Sequence, residues 1–301
     1  MTPKKIQIVE VGPRDGLQNE KEWVPTETKI SLIEKLADAG LTKIEVTSFV
    51  SPKWVPQLKD AHEVFTGIKK ISSVSYPVLT PNLKGLERAL KADVKEIAVF
   101  SAASEAFSQK NTNCSIEESI IRFRPVLEEA QKNKIPVRGY ISCALGCPYQ
   151  GKVHVEDVVN LAAKMTEMGC FQISLGDTIG VGTPIKAKIM VQKVSEKVPV
   201  SKLALHFHDT RGQALANILA CLELGITVID TSIAGLGGCP YARGASGNVA
   251  TEDVVYMLDG MDIETGIDLT KLIETGHFIS SFLGRLPQSR VSKANLENHL
   301  H

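Results

Sequence analysis

Eight short apolar runs, each followed by a longer stretch of helical character, are spaced along the 301 residues. The runs cover 6–11, 43–48, 74–79, 96–101, 137–142, 171–175, 203–207 and 228–233. Strands alternating with helices at this interval predict βαβ units and a parallel sheet. Eight units predict a closed (β/α)8 TIM barrel rather than an open sheet, and no G-x-G-x-x-G opens the first helix as a dinucleotide fold would require. Helical stretches are expected at 26–39 before Gly40, at 154–168 before Gly169 and at 212–224 before Gly225. Another, at 115–132, opens with Ser115 and Glu118 in capping-box spacing. The pattern over 269–283 adds an extra C-terminal helix, packed on the barrel or on a second subunit, while 295–301 carries no pattern and reads as a frayed end. No linker divides the chain, so 1–301 is expected to be a single TIM-barrel domain, a size such barrels reach routinely.

Charge excludes several partners. Lysine plus arginine and aspartate plus glutamate each number 34, so there is no global field for nucleic acid or an anionic membrane. No apolar stretch approaches the roughly 20 residues that span a bilayer. The start, Met1-Thr-Pro-Lys-Lys-Ile, runs straight into a strand pattern without a secretory or transit signature, so a soluble, cytoplasmic protein is expected. Six cysteines include no C-x-x-C pair and should be reduced and buried, apart from Cys239 in a glycine-rich loop.

In such a barrel the strand C-termini and the loops beyond them form the active face. Arg14 and Asp15 follow the first run, Glu45 stands near the end of the second, and Asp177 follows the sixth. His206 and His208 close the seventh, two apart and therefore on one side of a strand. Cys239 and Asn248 follow the eighth. Each has a plain structural alternative. Arg14–Asp15 could be a surface ion pair and Glu45 a salt-bridge partner of Arg14. Asp177 could cap a turn, Asn248 could cap the next helix, and the histidines could be a buried hydrogen-bonded pair. None of these explains why a carboxylate, two imidazoles and an amide share one rim. Asp15, His206, His208 and Asn248 together offer mixed oxygen and nitrogen ligands with positions left open, which suits Mg2+ or Mn2+ in a catalytic role. Two histidines and a carboxylate also match the facial triad of non-haem iron oxygenases, although those sit mostly on double-sheet jelly rolls.

The segments Val-Gly-Pro-Arg-Asp-Gly-Leu-Gln-Asn-Glu (11–20), Ile-Glu-Val-Thr-Ser-Phe-Val (44–50), Ser-Leu-Gly-Asp-Thr-Ile-Gly (174–180), His-Phe-His-Asp-Thr (206–210) and Gly-Leu-Gly-Gly-Cys-Pro-Tyr-Ala-Arg-Gly-Ala-Ser-Gly-Asn (235–248) resemble the 3-hydroxy-3-methylglutaryl-CoA lyase family. The resemblance runs from about residue 6 to about 285. It implies cleavage of (S)-3-hydroxy-3-methylglutaryl-CoA to acetyl-CoA and acetoacetate, assisted by a divalent cation on Asp15, His206, His208 and Asn248. It further implies that Arg14 stabilises the enolate oxygen and that Glu45 and Asp177 orient Arg14. His206 would combine ligation with proton transfer, and Cys239 would protonate the acetyl-CoA carbanion. Asn111 resembles a CoA contact; Lys21, Lys84 and Lys110 lie in loops that could meet its phosphates. A homodimer is the family expectation. Two other functions fit parts of the sequence: a related Claisen-type lyase or synthase for another hydroxyacyl-CoA or 2-keto acid, and a non-catalytic barrel that binds CoA or metal.

Overall fold

A computed structural model describes residues 2–237 and 247–298. Strands β1 (Gln7–Glu10), β2 (Thr47–Ser48), β3 (Val78–Leu79), β4 (Ile97–Ala102), β5 (Val137–Ser142), β6 (Gln172–Asp177), β7 (Leu203–Phe207) and β8 (Val228–Thr231) are all parallel, in the order β1-β8-β7-β6-β5-β4-β3-β2. Glu10 N donates to Lys43 O (3.0 Å) and Glu45 N to Glu10 O (2.8 Å), which joins the run before β2 to β1 and closes the barrel. All eight expected runs are therefore strands.

Two of them pair regularly over only two residues. Ser75 N donates to Thr42 O, and the next donor in a parallel ladder would be residue 77, which is a proline without an N–H. Ile44 and Val46 still donate to Ser75 O and Pro77 O at 3.0 Å, so the segments lie side by side with a broken ladder.

Between strands run α1 (Thr26–Asp38), α2 (Ala61–Gly67), α3 (Leu83–Lys91), α4 (Glu105–Thr112), α5 (Ile116–Lys132), α6 (Val155–Glu167), α7 (Pro184–Ser195) and α8 (Ala214–Leu222), followed by α9 (Thr251–Asp259), α10 (Leu269–Phe282) and α11 (Arg290–Asn298). The capping box forms: Glu118 N donates to Ser115 Oγ (3.1 Å) and Ser115 N to Glu118 Oε2 (2.7 Å). From there α5 buries Ile120, Phe123, Leu127 and Ala130 against the sleeve. No helix among the described residues is long and apolar enough to cross a membrane.

The expected C-terminal helix is α10, packed beside α1. The frayed end expected at 295–301 is corrected in part, because α11 continues through Asn298. It docks through polar contacts, which hydrophobic periodicity cannot register: Ser289 Oγ and Val291 N donate to Asp253 Oδ1 at 2.7 and 3.0 Å.

Strand alternation sorts side chains into two layers. On β7, Leu203, Leu205 and Phe207 join the large core between barrel and helices, whereas Ala204 packs inside with Val9, Val11 and Val228. Above that apolar floor the interior is polar. Arg138 and Tyr140 from β5, Ser174 from β6, His206 from β7 and Asp230 from β8 occupy inward positions.

Candidate active site

After β1 the chain winds into a tight turn, Gly12–Gly16, whose Arg14, Asp15 and Gly16 N–H groups all point at Val11 O (3.1, 2.7 and 3.2 Å). That turn folds Arg14 and Asp15 back over the barrel mouth. It needs small residues because the stem of the β8 loop presses on it. A Cβ at Gly12 would lie 2.6 Å from Glu10 Oε1, and one at Gly16 2.7 Å from Leu236 Cβ.

Asp15, His206 and His208 bring a ligand atom each within 4.8 Å of one another. His206 Nε2 is 3.7 Å from Asp15 Oδ2. Asn248 Nδ2 donates to the same oxygen (2.8 Å) and to Leu236 O (3.3 Å), so Asn248 Oδ1 has no hydrogen-bond partner among the described residues. The four expected cation ligands thus lie together. The other imidazole nitrogen of His206, Nδ1, is 3.3 Å from Asp230 Oδ2. An ionised Asp230 holds the proton on Nδ1 and turns the Nε2 lone pair toward Asp15, the carboxylate–histidine arrangement that orients metal ligands.

Asp230 is itself gripped by Arg138 (2.6 and 3.1 Å) and Ser174 Oγ (2.7 Å). Burial opposes its charge, yet Arg138 and His206 hold its pKa down at about 2. Asp15 is also held at about 2 against burial, by Arg14, the two histidines and Asn248. Burial, reinforced by His206, pushes His208 down to about 4, so it is a neutral imidazole with a lone pair at neutral pH.

Arg14 lies above this cluster. Its Nε and Nη2 contact Glu45 Oε2 (2.8 and 2.7 Å), and its Nη1 donates to Asp15 Oδ1 (2.7 Å), which Gln18 Nε2 also reaches (2.7 Å). Tyr140 donates to the same Glu45 oxygen (3.1 Å), and its ring centroid is 5.4 Å from the guanidinium. Burial raises the Glu45 pKa although Arg14 and Arg138 work against it. The guanidinium remains charged in all conditions.

The donor set fits a hard divalent cation. One carboxylate, two imidazoles and an amide oxygen supply mixed ligands, and His208 Nδ1 is buried with no hydrogen-bond partner. A second orphan faces the same interior: Glu45 Oε1 is buried without a partner while its twin oxygen takes Arg14 and Tyr140.

Other expected residues fall differently. Asp177 is level with Phe207, on the helix-facing side of its strand, whereas its neighbour Gly176 is level with His206. Its carboxylate accepts from Val181 N (3.1 Å) and Gly182 N (2.8 Å), so it caps the turn after β6 and is not brought to Arg14. Asn111 is exposed on α4, beyond the cation cluster, at a small recess lined by Phe100, Ser108 and Thr112. Lys21, Lys84 and Lys110 are exposed. Cys239 lies outside the described residues. Its loop leaves at Gly237, where an added Cβ would be 2.9 Å from Asn248 Nδ2. Sequence reading missed Asp230, Arg138, Tyr140 and Ser174. The available signal was the inward parity that places Asp230 two residues after Val228, together with a second charge at the inward position 138.

Fold and site together define a (β/α)8 barrel with a candidate divalent-cation centre and a fixed guanidinium at its catalytic mouth. A model of the HMGL-like family matches residues 5–279, and the chain belongs to that family. It is 59% identical over 292 residues to mitochondrial hydroxymethylglutaryl-CoA lyase of Gallus gallus, covering 97% of this chain and 98% of that one. The crystal structure of hydroxymethylglutaryl-CoA lyase from Pseudomonas aeruginosa superposes with a TM-score of 0.97 at 56% identity, over 99% of each chain. An HMG-CoA lyase from Acinetobacter baumannii, solved with coenzyme A and 3-methylmalate, matches with a TM-score of 0.92 at 40% identity, covering 97% and 95%.

Proposed function

We infer that this chain is a carbon–carbon lyase that cleaves (S)-3-hydroxy-3-methylglutaryl-CoA to acetyl-CoA and acetoacetate. The observation that carries the reading is the meeting of Asp15, His206, His208 and Asn248 beneath an Arg14 fixed by Glu45. Mg2+ or Mn2+ on those four residues would, when bound, supply Lewis acidity to the C3 hydroxyl.

The protein's own groups account for the rest. The C3 hydroxyl proton leaves, the C2–C3 bond breaks, and its electron pair moves onto the acetyl-CoA thioester as an enolate. Arg14 has five N–H donors and spends three on Glu45 and Asp15, so two remain for the enolate oxygen. Because Glu45 and Asp15 hold the fork in place, little reorganisation is needed as charge develops. His206, oriented by Asp230, is proposed to combine cation ligation with passage of the hydroxyl proton. Cys239 is proposed to return a proton to the enolate carbon, and Asn111 to meet the CoA moiety.

The test is product analysis of protein stripped by chelator, before and after Mg2+ or Mn2+ is restored. Equimolar acetyl-CoA and acetoacetate are expected only with the cation. Cleavage of a different hydroxyacyl-CoA, with this thioester left intact under both metals, would contradict the assignment.

A further inference from the structure

Two fully buried carboxylates outside the barrel wall take no part in the reaction described above. Glu10, on the outward face of β1, accepts Gly12 N (2.7 Å) and Ile233 N (2.8 Å) on Oε1 and Thr251 Oγ1 (2.6 Å) on Oε2. Glu252, in the first turn of α9, accepts Ala234 N on both oxygens (3.0 Å each) and Ser292 Oγ of α11 (3.0 Å). Successive N–H groups of one short segment are thus each held by a carboxylate from a different element. Ala234 needs holding, because it sits at φ 55°, a left-handed conformation that a residue with a Cβ adopts at a cost. Its carbonyl is also tied from outside, by Gln288 N at 2.8 Å.

This segment leads directly into the site. Leu236 N returns to Ile233 O (3.0 Å), and Leu236 O accepts from Asn248 Nδ2, the amide that also meets Asp15. Glu10 reaches the same site by another route, since the Gly12 N–H it holds begins the turn carrying Arg14 and Asp15.

We propose that Glu252 and Glu10 are positioning residues for the cation site, and that α11 is coupled to that site through Ser292 and Glu252. Glu252 fixes Ala234 and so Leu236 O, which aims the Asn248 amide. Glu10 ties the same stem to the Arg14–Asp15 turn, so the two ligand-bearing loops keep one spacing. The proposal rests on the cation reading of the previous subsection.

Direct binding tests it. Chelator-stripped full-length protein is titrated with Mn2+ alone, and free Mn2+ is read by electron paramagnetic resonance. Glu252→Gln is expected to weaken Mn2+ binding about tenfold. It should also lower kcat while KM for the thioester stays close to wild type. Ser292→Ala, which cuts only the link to α11, should weaken Mn2+ binding about threefold in the same direction. Ser289→Ala loosens α11 from Asp253 and frees the Ser292 N–H while leaving the Ser292–Glu252 bond itself in place, and should weaken Mn2+ binding less than Ser292→Ala does. A folded Glu252→Gln with wild-type Mn2+ affinity overturns the proposal. So does a Ser289→Ala effect equal to that of Ser292→Ala. If Glu252→Gln does not fold, Ser292→Ala decides on the same terms. Wild-type product release alone judges the lyase reading, so the two can fail separately.

Discussion

Asp230 inside the barrel is as buried as Glu10 and Glu252 just outside its wall, and Asp15 at the mouth is slightly more open, yet the two pairs behave in opposite ways. Asp15 and Asp230, facing inward, are held at about 2, because arginine and histidine charges outweigh the penalty of burial. Glu10 and Glu252, facing the helices, are pushed up to about 7 and about 8, because burial dominates and their partners are neutral backbone and hydroxyl donors. Burial alone therefore does not set a carboxylate's charge state; the charge of the partners separates these two pairs, while at Glu45 burial still outweighs Arg14. The inner pair is built to stay ionised and hold cations, the outer pair to grip backbone.

Removing the fixed positive charge should have the largest effect. Arg14→Ala is expected to lower kcat about a hundred- to a thousandfold, as loss of a preorganised donor to a developing oxyanion does. Steady-state kinetics at saturating Mn2+ measure it, and a loss below tenfold would detach Arg14 from the chemistry. Next comes Asp230→Asn, which removes the orientation of His206 and leaves Arg138 buried without its counter-charge. Mn2+ affinity should fall about tenfold or more, and urea unfolding should show a loss of about 3–5 kcal/mol. Asp177→Asn should cost less than either. It removes one backbone acceptor beneath the turn after β6, worth about 1–3 kcal/mol of stability, and should leave Mn2+ affinity close to wild type. If Asp177→Asn matched Arg14→Ala in kcat, the inner–outer division would fail at that position.

The smallest predicted effect is on stability against pH, and it separates the two regions by direction. Asp230 has a depressed folded pKa, so its contribution is present above the ordinary aspartate value and lost as pH falls from about 4 toward about 2. Glu10 and Glu252 have raised folded values, so the folded state prefers their protonated forms. Stability on their account is complete below about pH 4.5 and declines as pH rises through about 7 and 8. The neighbouring charges facing Glu252 are Asp253 and Glu10, and both act in the raising direction. Thermal melts from pH 2 to 9 should rise to about pH 4, fall between about pH 4.5 and 8 and level off above, and Glu252→Gln should flatten the falling limb while leaving the acid limb as it was.

The same division explains what could be read from sequence. The eight runs were legible because each strand buries an apolar face against helices, and 137–142 and 203–207 coincide with β5 and β7 to the residue. The cation cluster was legible because Asp15, the His206/His208 pair and Asn248 follow strand ends, where a barrel places its chemistry. Asp177 carries the same chemical type at a strand end and is not brought to Arg14, since it is one position out of phase with the inward Gly176. Asp230 and Arg138 went unnoticed for the reverse reason. They sit mid-strand in no motif, and only their pairing across the barrel shows that two inward charges neutralise each other. The coupling of α11 to the site was not legible at all, because side-chain and backbone hydrogen bonds leave no periodic trace.

One cation is expected between the Asp15–Asn248 pair and the two histidines, below Arg14. Crystals soaked in Mn2+ and measured at its absorption edge test this most directly. A single anomalous peak within bonding distance of Asp15, His206, His208 and Asn248 is the predicted result. A peak elsewhere, with Asp15 still bonded only to Arg14, Gln18 and Asn248, would contradict the account.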